Sequence, residues 1–153
     1  MMAGILPKDK TKQVFLKWFL NHKSKAELET LGLNFNRDVL PHYVRVEAIS
    51  MIQDLVAEKQ EVAIVSASLD FWLTPFAKQY GLTLICTRAA YTNNIFKGSF
   101  DGNNCNYKEK AVRIKNEYNL DNFKDVIVYC DSKGDAAMMK LANKVHFKPF
   151  RNR

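Results

Sequence analysis

A chain of 153 residues is one domain's worth and long enough to bury a real core. Its net charge of +7 comes from lysines and arginines scattered along the chain, a basic solvated surface rather than the basic block or aromatic–basic repeat of a nucleic-acid binder. The three cysteines are widely spaced and exclude a disulfide framework or a Cys-x-x-Cys zinc site, no apolar run reaches membrane-spanning length, and the N-terminus lacks a signal-peptide pattern; the expectation is a soluble, reduced, cytoplasmic protein.

Residues 1–36 read as helical. Val14, Phe15, Trp18 and Phe19 form an aromatic face, which core packing explains better than a cofactor box and which also suits part of a lid. Ser24 and Glu27 match a capping box and start a short helix that Gly32 ends. From Arg37 to Lys59 the apolar residues Leu40, Tyr43, Val44, Ala48, Ile49, Ile52, Leu55 and Val56 predict one amphipathic helix with Pro41 in its first turn.

Glu61 to Ser66 then reads as a strand, followed by a helix from about Leu69 to Tyr80, a Gly81 stop and a strand from Leu82 to Thr87. That order with short connections is a βαβ unit and implies a parallel sheet. Segments 89–91 and 97–100 flank Thr92-Asn93-Asn94 as a β-hairpin, and a helix follows from about Tyr107 to Tyr118 with Lys110 in its first turn. A solvated lysine is the ordinary reading there, although a cation at a helix start is mildly unfavourable.

Val126 to Tyr129 is the buried strand that matters most. It stops on Asp131, Asp135 follows after Gly134, and Ala136 onward resumes helical spacing. Two carboxylates at the carboxyl end of a parallel strand sit where open α/β sheets bind ligands, and their hard oxygens suit Mg²⁺. The same residues also suit an acidic helix cap. Lys144 to Phe147 forms a last short strand.

Taken together, these pieces resemble the haloacid dehalogenase superfamily, in particular its phosphoserine-phosphatase-like subgroup. Val65-Ser66-Ala67-Ser68 resembles that subgroup's second motif, Asn104 to Ile114 its third, and Tyr129 to Met139 its fourth. Cys130 departs from the fourth motif, where the family usually has glycine. The resemblance implies an α/β fold: a three-layer Rossmann-like core with a parallel sheet over residues 37–153, plus a partial helical cap over residues 1–36. It implies Ser66 and Ala67 as phosphate-binding residues, Lys110 as the active-site lysine that also contacts substrate, and Asp131 and Asp135 at the Mg²⁺ site. Asp135 would either bind metal waters or orient Lys110. The implied substrate is a small phosphorylated molecule, with no nucleic acid and no membrane span.

The family's first motif is Asp-x-Asp-x-Thr after a hydrophobic strand, and this sequence has none. None of its other aspartates follows a buried strand with a partner two residues on. The resemblance therefore implies a truncated chain that begins inside its cap, with Met1-Met2 an internal start or an artificial boundary. It also implies a sheet whose central first strand is missing. Two edges would then stand unpaired between the strands ending at Ser66 and Asp131, unless the gap closes or another strand, such as one from a homodimer partner, fills it. Two functional readings stand: a Mg²⁺-dependent phosphoric monoester hydrolase lacking its nucleophile and so inactive as it stands, or a non-catalytic relative that binds a phosphorylated ligand or a protein.

Overall fold

The structure, a computed structural model, describes residues 8–150. Helix α1 (Lys8–Leu20) leads into α2 (Lys25–Asp38), which begins with the capping box expected at Ser24. The Ser24 hydroxyl accepts from the Glu27 amide at 3.2 Å, and Glu27 Oε2 accepts from the Ser24 amide at 2.7 Å. Gly32 does not end this helix. It lies buried within it, because a Cβ there would collide with the carbonyl of Phe71, and α2 could not approach the helix after β1 so closely.

The single helix expected over 37–59 is divided. Helix α2 runs on to Asp38, a 3-10 turn covers Leu40–His42, and α3 (Val46–Ala57) starts afresh after an extended Arg45. Pro41 has no N–H to continue the ladder of α2, so the apolar period persists across a break in the backbone.

The βαβ unit forms as expected. Strand β1 (Ala63–Leu69), helix α4 (Asp70–Tyr80) and strand β2 (Thr83–Thr92) follow in order, with β1 and β2 parallel and Gly81 in the left-handed conformation that stops α4. The two strand segments expected at 82–87 and 89–91 are one continuous β2. It turns at Asn93 and Asn94, with φ of 49° and 62°, and returns as antiparallel β3 (Ile95–Asp101). Positive φ at both central residues suits the right-handed twist of a hairpin, and asparagine tolerates it. Helix α5 (Tyr107–Glu117), strand β4 (Ile127–Cys130), the short helix α6 (Ala136–Met139) and strand β5 (Lys144–Phe147) complete the fold.

Among the described residues the strands form two sheets, β1-β2-β3 and β4-β5, each containing a parallel pair. No ladder joins β1 to β4 among these residues.

Two apolar cores result. Leu16, Leu28, Leu69, Phe71, Ala89 and Phe96 bury one of them among α1, α2, α4 and the hairpin. Ile85, Cys105, Ile114, Val128, Cys130 and Met138 bury the other, with Ala63 and Val65 of β1 packed against it, so both sheets share this core despite the gap. Helix α1 points Leu16 inward and leaves Val14, Phe15, Trp18 and Phe19 exposed, Trp18 by 82%. Core packing does not explain that aromatic face.

Replacing Gly32 by alanine should separate α2 from α4 and cost about 1–3 kcal/mol, the usual penalty of overpacking, as a lower urea midpoint with an unchanged slope. A midpoint within error of the parent would mean that the helix pair relaxes freely.

Candidate functional site

Three of the residues singled out in the sequence meet at the carboxyl end of β4. Lys110, in the first turn of α5, donates from Nζ to Asp135 Oδ1 at 2.5 Å and to the Val65 carbonyl at 3.1 Å. The other Asp135 oxygen accepts from the Ser132 hydroxyl at 2.8 Å and from the Ser132 amide at 3.3 Å. Asp135 is therefore both part of a helix cap and the partner of Lys110. Its ion pair also offsets the unfavourable placement of a cation at a helix start.

Asp135 is 5% exposed. Burial by itself pushes its carboxyl upward. The hydrogen bonds from Lys110 and Ser132, with the Lys110 charge, outweigh that and hold it below the usual carboxylate range.

Val65, Lys110, Tyr129, Cys130, Asp131 and Asp135 line one cavity of about 320 Å³, and Arg45 and Lys148 add cationic groups to its wall. Asp131 is exposed at this cavity. Ser66 and Ala67 do not line it. Ser66 lies one residue beyond Val65, and its hydroxyl accepts from the Ser68 amide at 3.1 Å. The Ala67 carbonyl accepts from Lys12 Nζ at 2.5 Å and from the Thr87 hydroxyl at 2.9 Å. The strand bulges here, its register passing from Ser66 opposite Cys86 directly to Leu69 opposite Thr87.

A second polar cluster beside Ala67 had no signal in the sequence, because its members come from distant segments. Lys12 also donates to Asn104 Oδ1 at 2.9 Å, and Asp9 Oδ1 accepts from the side-chain amides of Asn104 and Asn106 at 2.7 and 2.8 Å. Burial lowers the Lys12 ammonium below its ordinary value, with the Asp9 charge opposing the shift. This network fastens the start of α1 to the carboxyl end of β1. It also places Lys12 in the wall of a second cavity of about 510 Å³, with Phe15, Leu16, Ser68, Leu69 and Trp72.

Among the described residues no three histidine, cysteine, aspartate or glutamate side chains gather as a ligand cluster. The hard donors at the first cavity are Asp131 and Asp135, and the hydrogen bonds to Lys110 and Ser132 engage both Asp135 oxygens. Mg²⁺ takes one or two carboxylates and completes its shell with water and phosphate, so Asp131 fits a sparse site of this kind. Cys130 is a poor nucleophile. Burial, then the nearby Asp135 and Asp131, raises its thiol above the ordinary value, and the thiolate is the reactive form.

The fold and this cavity define a Rossmann-like α/β protein whose polar groups gather at the carboxyl ends of parallel strands. The chain belongs to the haloacid dehalogenase-like hydrolase family, whose profile matches residues 2–140. It is 29% identical over 146 residues to Protein CicA of Caulobacter vibrioides, covering 94% of this chain and 65% of that protein. The chain thus spans just under two thirds of the length of this relative. Its fold is similar to that of a Bordetella pertussis Tohama I protein of unknown function, with a TM-score of 0.82 at 23% identity over 93% of this chain and 66% of the other. It is also similar to a probable phosphoserine phosphatase from Vibrio cholerae, with a TM-score of 0.72 at 15% identity over 95% of this chain and 44% of the other. The phosphoserine-phosphatase-like fold expected from the motifs is therefore the one adopted.

Replacing Lys110 by methionine should cost about 3–5 kcal/mol near neutral pH, because the buried Asp135 charge loses its partner. The Asp135 carboxyl is held below its ordinary value, so the pair's stabilisation is present above the usual carboxylate range and lost as pH falls through the depressed value. The difference between parent and variant in urea unfolding should therefore shrink as pH falls below the usual carboxylate range. A pH-independent difference would mean that the ion pair contributes nothing.

Proposed function

We propose that this chain carries the phosphate-handling half of a Mg²⁺-dependent phosphoric monoester hydrolase and binds the phosphoryl group of a small molecule without turning it over at an appreciable rate. The observation that carries this reading is the convergence of Lys110, Asp131 and Asp135 on one cavity at the carboxyl end of β4. Membership of a hydrolase family supports it. So does the likeness in fold to a probable phosphoserine phosphatase, although that likeness concerns fold alone.

In this reading Lys110 presents a fixed positive charge to the phosphoryl oxygens, and Asp135 orients it. Preorganised charge of this kind is most of what phosphoryl transfer asks of a protein. The Ser66 hydroxyl and the backbone at Ala67 are the remaining candidate phosphate donors, and both require the bulge at 66–69 to turn toward the cavity. Asp131 would hold Mg²⁺, which when bound neutralises phosphate charge. Residues 8–36 would serve as the cap-like part over a core from residue 37 onward, although α2 crosses that boundary. The exposed aromatic face of α1 and Lys12 would then flank the substrate.

Turnover is expected to be weak because the sequence contains no Asp-x-Asp-x-Thr and the described structure offers no other activated nucleophile at the cavity. Inorganic phosphate should bind in the presence of Mg²⁺ by calorimetry, and Asp131→Asn and Lys110→Met should each abolish that binding. Hydrolysis of p-nitrophenyl phosphate should stay near background. Robust Mg²⁺-dependent hydrolysis lost in Asp131→Asn would overturn the inactive reading, and absence of phosphate binding would overturn the site.

A further inference from the structure

The Ala67 carbonyl and the Asn104 side-chain oxygen face the same two donors. Lys12 Nζ lies 2.5 Å from the first and 2.9 Å from the second, and the Thr87 hydroxyl lies 2.9 and 2.8 Å from them. A hydroxyl carries one proton and an ammonium three. Thr87 can therefore serve one of the two acceptors at a time, whereas Lys12 can serve both. Thr87 and Asn104 are buried, so water is a poor substitute for a missing donor. Without Lys12 one oxygen of this pair is left unsatisfied.

The consequence reaches Ser66 through one peptide bond. No described peptide is cis, and across a trans peptide the carbonyl and the next N–H point in opposite directions. Lys12 and Thr87 hold the Ala67 carbonyl, so the Ser68 N–H is turned the other way, and there it donates to the Ser66 hydroxyl oxygen at 3.1 Å. The Ser66 oxygen is thereby an acceptor, and its own proton reaches no acceptor among the described residues. On the other side of Ser66, Lys110 holds the Val65 carbonyl at 3.1 Å. Ser66 thus stands between two carbonyls that are each fixed by a lysine.

We propose that Lys12 is a positioning residue of the phosphate site: by holding the Ala67 carbonyl it fixes the Ser66 hydroxyl as a donor to a phosphoryl oxygen. This rests on the reading of Ser66 as a phosphate donor. The bulge that has to turn toward the cavity then carries a hydroxyl already set for the task. A half-buried ammonium costs desolvation that a neutral donor fastening α1 to β1 would avoid. The charge has a use at the head of a chain of bonds, from Lys12 through the 67–68 peptide and the Ser66 hydroxyl to an anion. Each link polarises the next, by about 10–30% per bond.

The test measures binding of inorganic phosphate with Mg²⁺ by calorimetry, in a double-mutant cycle on the full chain. Ser66→Ala and Lys12→Met should each weaken binding about tenfold, the scale of a hydrogen bond to a charged group. In the Ser66→Ala background Lys12→Met should change it by less than about twofold, because the lysine acts through that hydroxyl. Lys12→Arg, whose guanidinium can serve both oxygens, should restore binding. In the parent, phosphate should slow hydrogen exchange at the Ser68 amide, a readout that stands even if Lys12→Met folds poorly. A merely structural role would weaken binding equally in both backgrounds, and that result would overturn the proposal. So would binding untouched by Ser66→Ala, tighter binding in Lys12→Met, or unchanged exchange at the Ser68 amide. No phosphate binding by the parent would overturn the site and this inference with it, an outcome distinct from binding that Lys12 does not affect.

Discussion

The ammonium group of Lys110 is the point on which the two halves of the molecule depend. From the first turn of α5 it bonds the Val65 carbonyl on the edge of β1 and the Asp135 carboxylate after β4. Those strands share no ladder, so the contact is one of the few polar ties between the sheets. Burying a charge is costly unless a partner stands opposite, and Asp135 supplies that partner while Ser132 satisfies its second oxygen. Structural need and chemistry therefore converge on one residue. The cation that ties the two sheets together is also the one proposed to face a phosphoryl group.

The divided sheet shapes everything around it. Backbone groups on the facing edges of β1 and β4 lack the ladder a neighbouring strand would provide, yet the core beneath them is continuous from Ile85 through Ile114 to Val128. Such a core holds two sheets side by side without joining them. The outer layer is less well provided: Val46 is 80% exposed, and α3 packs chiefly against α4 without burying a side chain.

Much of this was legible in the sequence where local chemistry decides the outcome. The capping box at Ser24, the Gly81 stop, the asparagine turn at 93–94 and the βαβ order are set by short-range sterics and hydrogen bonding. Asp131 and Asp135 were legible as candidates because they follow the carboxyl end of a parallel strand, and Lys110 through the resemblance of residues 104–114 to the family's third motif. The role of Gly32 was not legible, since a glycine at the end of an apolar run looks the same whether it stops a helix or admits a neighbour. Nor was the division of the 37–59 helix, because its apolar period continues across Pro41. The network of Lys12, Asn104, Asn106, Asp9 and Ala67 gave no signal, its contacts spanning up to 97 positions.

The sequence by itself determined the order of elements, the family and the residue types available for phosphate and metal, because hydrophobic period, capping chemistry and motif spacing are local properties. Only the tertiary structure decided that Lys110 spends its hydrogen bonds on Val65 and Asp135, that Asp135 engages both of its oxygens internally, and that the aromatic residues of α1 face outward. It also decided that β1 and β4 share no ladder among the described residues. Those outcomes depend on which distant surfaces meet and which polar groups are left to satisfy, and no window of consecutive residues contains that information.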